Sequence, residues 1–365
     1  MKKSPIRRIG ILTGGGDCPG LNAVIRAVVK TADLHQVSVL GYRDAFLGLV
    51  NDEAQPLASS DVSNILTRGG TILGSSNKDN PFHLAEVDKN GKVHHRDRSG
   101  EILKNFKKRG VDALVVLGGD GSMTVANRLS RMGIPIVGVP KTIDNDLVGT
   151  DMTFGHDTAV SIATEAIDRL HTVADSHHRV IIVEVMGRYA GWLALRSGLA
   201  GGGDVILIPE IPYVEDKVSD AISDRLRRGK KSSIVVIAEG AHPKGGKMVV
   251  DRITPLSEEK IRLGGVSRQL AHHLETKSKV ETRSIILGHI VRGGTPTAFD
   301  RILATQFGVK AMEMVLAGNF GRMVALQKGN LGSVALSKVG GKVRKVPVNH
   351  DLVRAAQQIG VSFGV

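Results

Sequence analysis

Three carboxylates sit in loops that directly follow apolar runs: Asp120 in "VVLGGDGS" (115–122), and Asp144 and Asp146 in "VPKTIDNDLVGTD" (139–151). A lone carboxylate on bare backbone, between Gly119 and Gly121, suits Mg²⁺, a hard cation that takes few protein oxygens and shares the rest with phosphates and water. The same aspartate is also placed to cap a helix starting near Ser122. Asp144 and Asp146 could divide the labour of phosphoryl transfer, one accepting a hydroxyl proton while the other shapes the metal environment. The alternative for this pair is a polar turn whose Asp side chains bond their own backbone. A third loop, in "ILTGGGDCPGLNAVIRAVV" (11–29), leads from a strand through glycines to a helix beginning near Asn22. Bare backbone and a helix N-terminus favour an anion there, although a purely structural turn fits as well. No Lys follows Gly20, so it is not a Walker A loop, and Pro19 stands where the dinucleotide fingerprint needs glycine.

Groups that could receive an anionic substrate recur at similar places. They are Arg179, "EVMGRYAGW" (184–192), "AEGAH" (238–242), Arg283 and "LGHIVRGGTP" (287–296). Arginine forks match phosphate oxygens bidentately, but any one of them taken alone reads as a surface charge. The pairs His177/His178 and His272/His273 lack carboxylate or cysteine partners at ligand spacing, which argues against structural zinc. Cys18 has no local histidine partner and reads as a small buried residue.

The elements that must position these residues alternate in kind. Apolar runs at Ile9–Thr13, Val37–Gly41, Ala113–Leu117, Ile134–Val139, Val180–Val185, Val205–Ile208, Ile234–Ala238 and Ser284–Leu287 read as strands covered on both faces. Between them, Val125, Leu129 and Met132 share one helical face, and Val160, Ala163, Ile167 and Leu170 another. This alternation predicts α/β architecture with parallel sheets and ligands at the C-terminal strand ends. No linker divides the chain, and the residues from Arg322 onward pattern weakly.

Composition narrows the function. The 365 residues suffice for roughly two domains. The 44 glycines gather at the ends of apolar runs, as ligand-binding turns require. A net charge of +13 raises the prospect of a nucleic-acid binder, but its basic clusters (Lys104 to Arg109, Arg225 to Lys231, Lys342 to Lys345) are short. Aromatics make up only 3%, too few for a base-stacking platform. The reading is an enzyme with anionic small substrates and no nucleic-acid partner. With one cysteine and no apolar stretch long enough for a membrane span or a secretory signal, the expectation is cytoplasmic, with no membrane partner.

Together the motifs resemble the phosphofructokinase family from Ile9 to about Gly321. In order they are LTGGGDCPGLNAVIR, RGGTILGSS, GGDGS, PKTIDND, EVMGRYAGW, AEGAH and LGHIVRGGTPTAFDRILA. The resemblance implies an α/β fold of two Rossmann-like domains with largely parallel sheets and the active site in the cleft between them. A nucleotide-binding domain would take 1–154 plus about 290–345, a fructose 6-phosphate-binding domain 155–289, and a C-terminal helix or tail 346–365. The implied reaction is glycolytic: transfer of a terminal phosphoryl group to the 1-hydroxyl of fructose 6-phosphate.

The resemblance also implies roles. Asp144 would be the general base, Asp120 would organise Mg²⁺ with help from Asp146, and Thr142 and Arg188 would stabilise the moving phosphoryl group. Gly15, Gly16, Gly119, Gly121 and Ser122 would line the donor site. Met186, Gly187, Glu239, His289 and Arg292 would hold the sugar phosphate. Arg179 and Arg283 would reach in from a neighbouring subunit, making a homo-oligomer, dimer or tetramer, part of the site.

Donor choice turns on two positions. Pyrophosphate-using members carry aspartate where this chain has Gly121, and that carboxylate would fill and repel the space of an ATP α-phosphate. Lys141 points the other way, because pyrophosphate users have PKTIDND where compact bacterial ATP users have PGTIDND. The open space at Gly121 decides for ATP. Compact members also place an ATP-contacting arginine after the LGS motif; here Asn77 stands there, with Lys78 next as the candidate contact. Ser59 and His171 replace arginines of their effector site, and the stretch between Glu239 and Arg283 is longer than theirs. The rival readings are a pyrophosphate-dependent enzyme and a non-catalytic sugar-phosphate sensor.

Overall fold

The computed structural model describes residues 6–77, 80–254 and 261–365. In the first half run β1 (Arg8–Thr13), α1 (Leu21–Leu34), β2 (Ser38–Tyr42), α2 (Phe46–Asn51), β3 (Ala54–Leu57), β4 (Leu84–Val87), β5 (Val93–Arg96), α3 (Ser99–Lys108), β6 (Ala113–Gly118), α4 (Asp120–Arg131) and β7 (Ile136–Pro140). Then come α5 (His156–His177), β8 (Val180–Val185), α6 (Trp192–Ala200), β9 (Val205–Leu207), α7 (Glu215–Arg227), β10 (Ser233–Ala238), β11 (Val250–Ile253), β12 (Ile261–Leu263), α8 (Val266–Ser278) and β13 (Thr282–Ile286). The last elements are α9 (Ala298–Leu316), β14 (Arg322–Gln327), β15 (Asn330–Ala335) and α10 (Asp351–Gln358).

Two main sheets result. The larger has strand order β15-β14-β7-β6-β1-β2-β3, and the smaller β13-β8-β10-β9. Every pair in the smaller sheet is parallel, and so is the centre of the larger one. The fully buried runs ALVVLG, VIIVEV and SIVVIA form β6, β8 and β10, because strands covered on both faces need no polar alternation. One apolar cluster joins Ile11, Val115 and Val139 of the larger sheet to Val183 and Val236 of the smaller.

The sheets are largely parallel, as expected, and the larger adds antiparallel strands at its two edges, β3 against β2 and β15 against β14. Some finer expectations need correction. The strand expected at Ser284–Leu287 starts at Thr282 and ends at Ile286, and Ile134 lies ahead of β7. Met132 does not share the buried face of Val125 and Leu129; it sits past the end of α4 and is 39% exposed. The hairpins β4–β5 and β11–β12 are too short and too polar to have been anticipated.

The chain's last segment is ordered against the smaller sheet. Ser362 pairs alongside Val205 of β9, with Ile206 N donating to Ser362 O at 2.9 Å and Ser362 N to Asp204 O at 3.0 Å.

Candidate active site

The three glycine-bearing loops are laced together at the C-terminal ends of β1, β6 and β7. Gly14 N donates to Leu117 O at 2.8 Å, and Lys141 N to Gly118 O at 3.0 Å. The RGGTILGSS segment joins them, because Gly15 N donates to Ser76 O at 2.9 Å and Ser75 Oγ to Thr13 O at 3.0 Å. Gly119 precedes the first turn of α4, where Gly121 is exposed and Ser122 buried. Asp120 makes no cap on its own helix, which sets that alternative aside. Its Oδ1 accepts instead from Gly341 N at 2.7 Å. Burial raises the Asp120 pKa, and the backbone amides of Gly341 and Lys342 oppose the shift.

The turn after β7 has its polar backbone almost completely tied. Thr142 Oγ1 accepts from Asp144 N at 3.1 Å, and the Asp146 carboxylate accepts from its own backbone amide, so threonine and aspartate both help to organise the turn. Thr153 Oγ1 donates to Thr142 O at 2.7 Å, and buried His156 places Nδ1 at 2.6 Å from Ile143 O. Arg344 donates to Asn145 O through Nη2 at 2.7 Å and Nε at 3.1 Å. Asn145 itself takes φ +52°, the left-handed region that only a well-held non-glycine residue adopts. Asp146 is held well above the usual carboxylate range, first by burial and then by the charge of Asp144, with Asp120 adding to it.

The smaller sheet contributes the facing groups. Beyond β8 and β10, Gly240 N donates to Gly187 O at 3.1 Å, and Glu239 N to Val185 O at 2.9 Å. A Cβ on Gly240 would lie 1.9 Å from Arg188 O, so the AEGAH glycine is a requirement of backbone approach. Glu239 is pushed up to about 7 by burial, then by the charges of Asp144 and Glu184; Arg292 and Arg188 pull it down. Met186 packs at the edge of the main apolar cluster. Arg188 Nη1 donates to Ile261 O at 2.9 Å, so β12 of the β11–β12 pair, within the stretch between Glu239 and Arg283, meets this arginine.

Some participants carried no chemical signal in the sequence. Glu184 accepts from Gly265 N and Ser267 N at 3.0 Å each and from Ser267 Oγ at 2.6 Å, fixing the start of α8 beside the site. Thr153, His156 and Arg344 hold the turn of Asp144 and Asp146 from elsewhere in the chain. The "TFGHDTA" run, six residues beyond PKTIDND, was the pointer available to Thr153 and His156.

Lys141 is buried beneath the glycine loop and donates to Gly16 O. Burial lowers its pKa, and the charge of Arg292 adds to that effect. Arg292 covers the same loop: its Nη1 donates to Asp17 O at 3.1 Å and stands 2.7 Å from where a Cβ on Gly16 would be. Cys18 is fully buried and its thiol is pushed up to about 12 by desolvation, so it has no nucleophilic character.

Other predicted residues do not join this group within one chain. Arg179 and Arg283 both pair with Glu281, Arg179 Nε at 2.7 Å. Arg179 immediately precedes β8, whereas Met186 to Arg188 follow it, which separates them by roughly 20 Å of extended strand. His289 is exposed in a short 3-10 turn. Lys78 lies outside the described residues.

Among the described residues no group of three or more His, Cys, Asp or Glu side chains is arranged to hold a metal ion unaided. The donor chemistry nevertheless fits a hard divalent cation that arrives with phosphates. Burial and mutual repulsion raise the Asp146 pKa in company with Asp144 and Asp120, and a cation between carboxylates and phosphates would relieve that repulsion.

Two largely parallel sheets with carboxylates, arginines and a glycine loop at their C-terminal strand ends define an α/β protein of the strand-end-site class. The family model described as phosphofructokinase matches residues 8–315. The chain is 53% identical over 361 residues to the ATP-dependent 6-phosphofructokinase 2 of Clostridium perfringens, covering 98% of this chain and 99% of that one. It is 50% identical over 364 residues to the pyrophosphate--fructose 6-phosphate 1-phosphotransferase of Amycolatopsis mediterranei, covering 98% and 100%. Phosphofructokinase from Saccharomyces cerevisiae superimposes with a TM-score of 0.77 at 30% identity, covering 91% of this chain. The match takes in 45% of the yeast chain, so this chain spans less than half its length. The chain belongs to the phosphofructokinase family.

Proposed function

We propose that the protein is an ATP-dependent 6-phosphofructokinase, transferring the terminal phosphoryl group of ATP to the 1-hydroxyl of fructose 6-phosphate. The products are fructose 1,6-bisphosphate and ADP. The observation that carries the reading is the meeting of Asp120, Asp144 and Asp146 at the strand ends of one sheet, opposite Arg188 and Glu239 from the other. Asp144 takes the proton of the attacking hydroxyl, and Thr142 and Arg188 face the phosphoryl group in transit. Mg²⁺, when bound, neutralises charge on the transferring phosphates, and Asp120 with Asp146 would hold it. Gly15, Gly16, Gly119, Gly121 and Ser122 form the donor side, with Lys78 as a further candidate contact. Met186, Gly187, Glu239, His289 and Arg292 form the sugar-phosphate side.

The larger sheet with α9 forms the donor domain, from 1–154 and about 290–345. The smaller sheet forms the acceptor domain, 155–289, and 346–365 is a C-terminal appendage to it. Arg179 and Arg283, remote from their own chain's site, serve the site of a second copy, so the working form is a homo-oligomer. The reaction runs in the cytoplasm, a reading that the lone buried thiol supports.

ATP is favoured over pyrophosphate because Gly121 is exposed and bare at the first turn of α4. The rival donor has one observation in its favour, Lys141, together with the resemblance to the Amycolatopsis phosphotransferase. Against it, the Lys141 ammonium is already engaged by Gly16 O. Initial rates with fructose 6-phosphate and Mg²⁺ decide the matter, ATP being compared with pyrophosphate. Turnover with ATP alone is the expected result. Turnover with pyrophosphate alone would overturn the donor assignment, and silence with both would replace the enzyme with a sugar-phosphate sensor.

A further inference from the structure

The segment between β15 and α10 runs as a strap across both halves of the site. Gly341 N donates to Asp120 Oδ1 at 2.7 Å, Val343 bridges to Leu147, and Arg344 N donates to Asp146 O at 2.6 Å. Farther on, Trp192 Nε1 donates to Arg344 O at 2.8 Å and Val346 N to Glu210 Oε1 at 2.7 Å. Glu210 also receives Gly191 N at 3.1 Å, so the strap is anchored beside the EVMGRYAGW loop of the smaller sheet.

The Arg344 side chain reaches from this strap into the turn bearing Asp144 and Asp146. Its guanidinium makes two bonds to Asn145 O and lies with its carbon 4.7 Å from the centre of the Trp192 ring. Asn145 separates Asp144 from Asp146 and holds a left-handed backbone, while its Nδ2 is buried without a hydrogen-bond partner. Its Oδ1 accepts from Thr153 N at 3.0 Å, which holds the side chain, and the two bonds from Arg344 hold the carbonyl of the same residue.

Resting on the reaction proposed above, we infer that Arg344 is a positioning residue for phosphoryl transfer: through Asn145 it sets where Asp144 and Asp146 point, without touching substrate. A planar fork on a single carbonyl oxygen fixes the peptide more tightly than one bond does, and lysine cannot reproduce the fork. The strap thereby transmits the relative position of the smaller sheet to the base, because the same residue is stacked on Trp192.

The test measures kcat and KM for wild type, Arg344→Ala and Arg344→Lys, with Asp144→Ala as a control. Arg344→Ala should lose on the order of 10²-fold in kcat, the effect of misplacing a reacting group by about 1 Å. KM for fructose 6-phosphate should stay within about threefold, because a residue that acts in the transition state leaves ground-state binding alone. Arg344→Lys should fall between wild type and Arg344→Ala. Added guanidinium should restore turnover of Arg344→Ala with saturation while leaving Asp144→Ala inactive. An active wild type with unchanged kcat in Arg344→Ala, a loss confined to KM, or the absence of rescue would overturn the inference alone. A wild type silent with both donors would overturn the reaction and this inference with it. If Arg344→Ala does not fold, Arg344→Lys, which keeps the charge and most of the stem, carries the same comparison of kcat with KM.

Discussion

Lys141 and Gly16 are bonded across the floor of the glycine loop, ammonium to carbonyl, in a place where the lysine is only 4% exposed. The lysine that marks pyrophosphate users by its position is therefore a brace for the loop in this structure. Replacing it removes a charged donor from a buried carbonyl. Lys141→Met should cost about 1–3 kcal/mol of stability, the penalty for an orphaned buried acceptor. It should slow turnover with ATP in step with that loss of stability. A Lys141→Met protein of unchanged stability that still loses ATP turnover would show the ammonium to be a donor contact instead.

Gly121 is the complementary test. Gly121→Asp sets a carboxylate at the exposed first turn of α4, one residue from Asp120. ATP turnover should fall by at least about 10²-fold through steric overlap and repulsion of phosphate, while the melting temperature hardly changes. Undiminished ATP use would remove the steric account of donor choice.

Asp144→Ala separates chemistry from binding. Fructose 6-phosphate should still bind, as calorimetry would register, because the arginines of the smaller sheet remain. Turnover should drop by about 10²–10⁴-fold, the usual contribution of a positioned base. Equal turnover would remove Asp144 from its role.

Glu239 carries a pH signature. Its ionisation is disfavoured in the folded chain, with the pKa raised from 4.5 to about 7, so the folded state holds this proton more tightly than the unfolded chain between those values. Stability from this residue therefore falls as pH rises through the window, and the penalty is complete above it. Glu239→Gln should gain on wild type by up to about 3 kcal/mol between the two ends of the window. Melting temperatures of the two proteins from acid to neutral pH give the comparison. A constant difference would mean that Glu239 ionises normally.

The two arginines on Glu281 predict complementation. Mixing subunits of Arg179→Ala with subunits of Asp144→Ala, each nearly inactive alone, creates hybrids in which one site has both its own Asp144 and a neighbour's Arg179. Refolding the mixture should recover up to about a quarter of wild-type activity if pairing is random and isologous. No recovery, with hybrids present by native mass measurement, would confine each site to a single chain.

Much of this site was legible because its residues lie in loops that follow buried strands, where apolar runs announce the strand and glycines announce the turn. Asp120, Asp144 and Glu239 lie within four residues of the ends of β6, β7 and β10, so local sequence marked the loops that carry them, while a role for Glu239 came only from the family resemblance. Arg344 escaped because its contacts are to Asn145 and Asp146, about two hundred positions away, and nothing in "GGKVRKVP" shows that separation closing. Glu184 was quoted within a motif but not assigned, since its work is to fix the start of α8 and that helix has no chemical signature. The short hairpins were invisible for a different reason. Strands of three or four residues with exposed faces, such as β12 and β5, carry too little periodicity to stand out.

The pairing of Ser362 beside β9 bears on how the protein can be handled. That contact closes the outer edge of the smaller sheet, and Val214 N donates to Gly364 O at 2.8 Å just beyond it. An affinity tag joined after Val365 would begin next to a strand edge that needs its cover. Trimming the final residues would uncover the β9 ladder and offer it to other chains, turning a catalytic protein into one prone to sticky, edge-to-edge association.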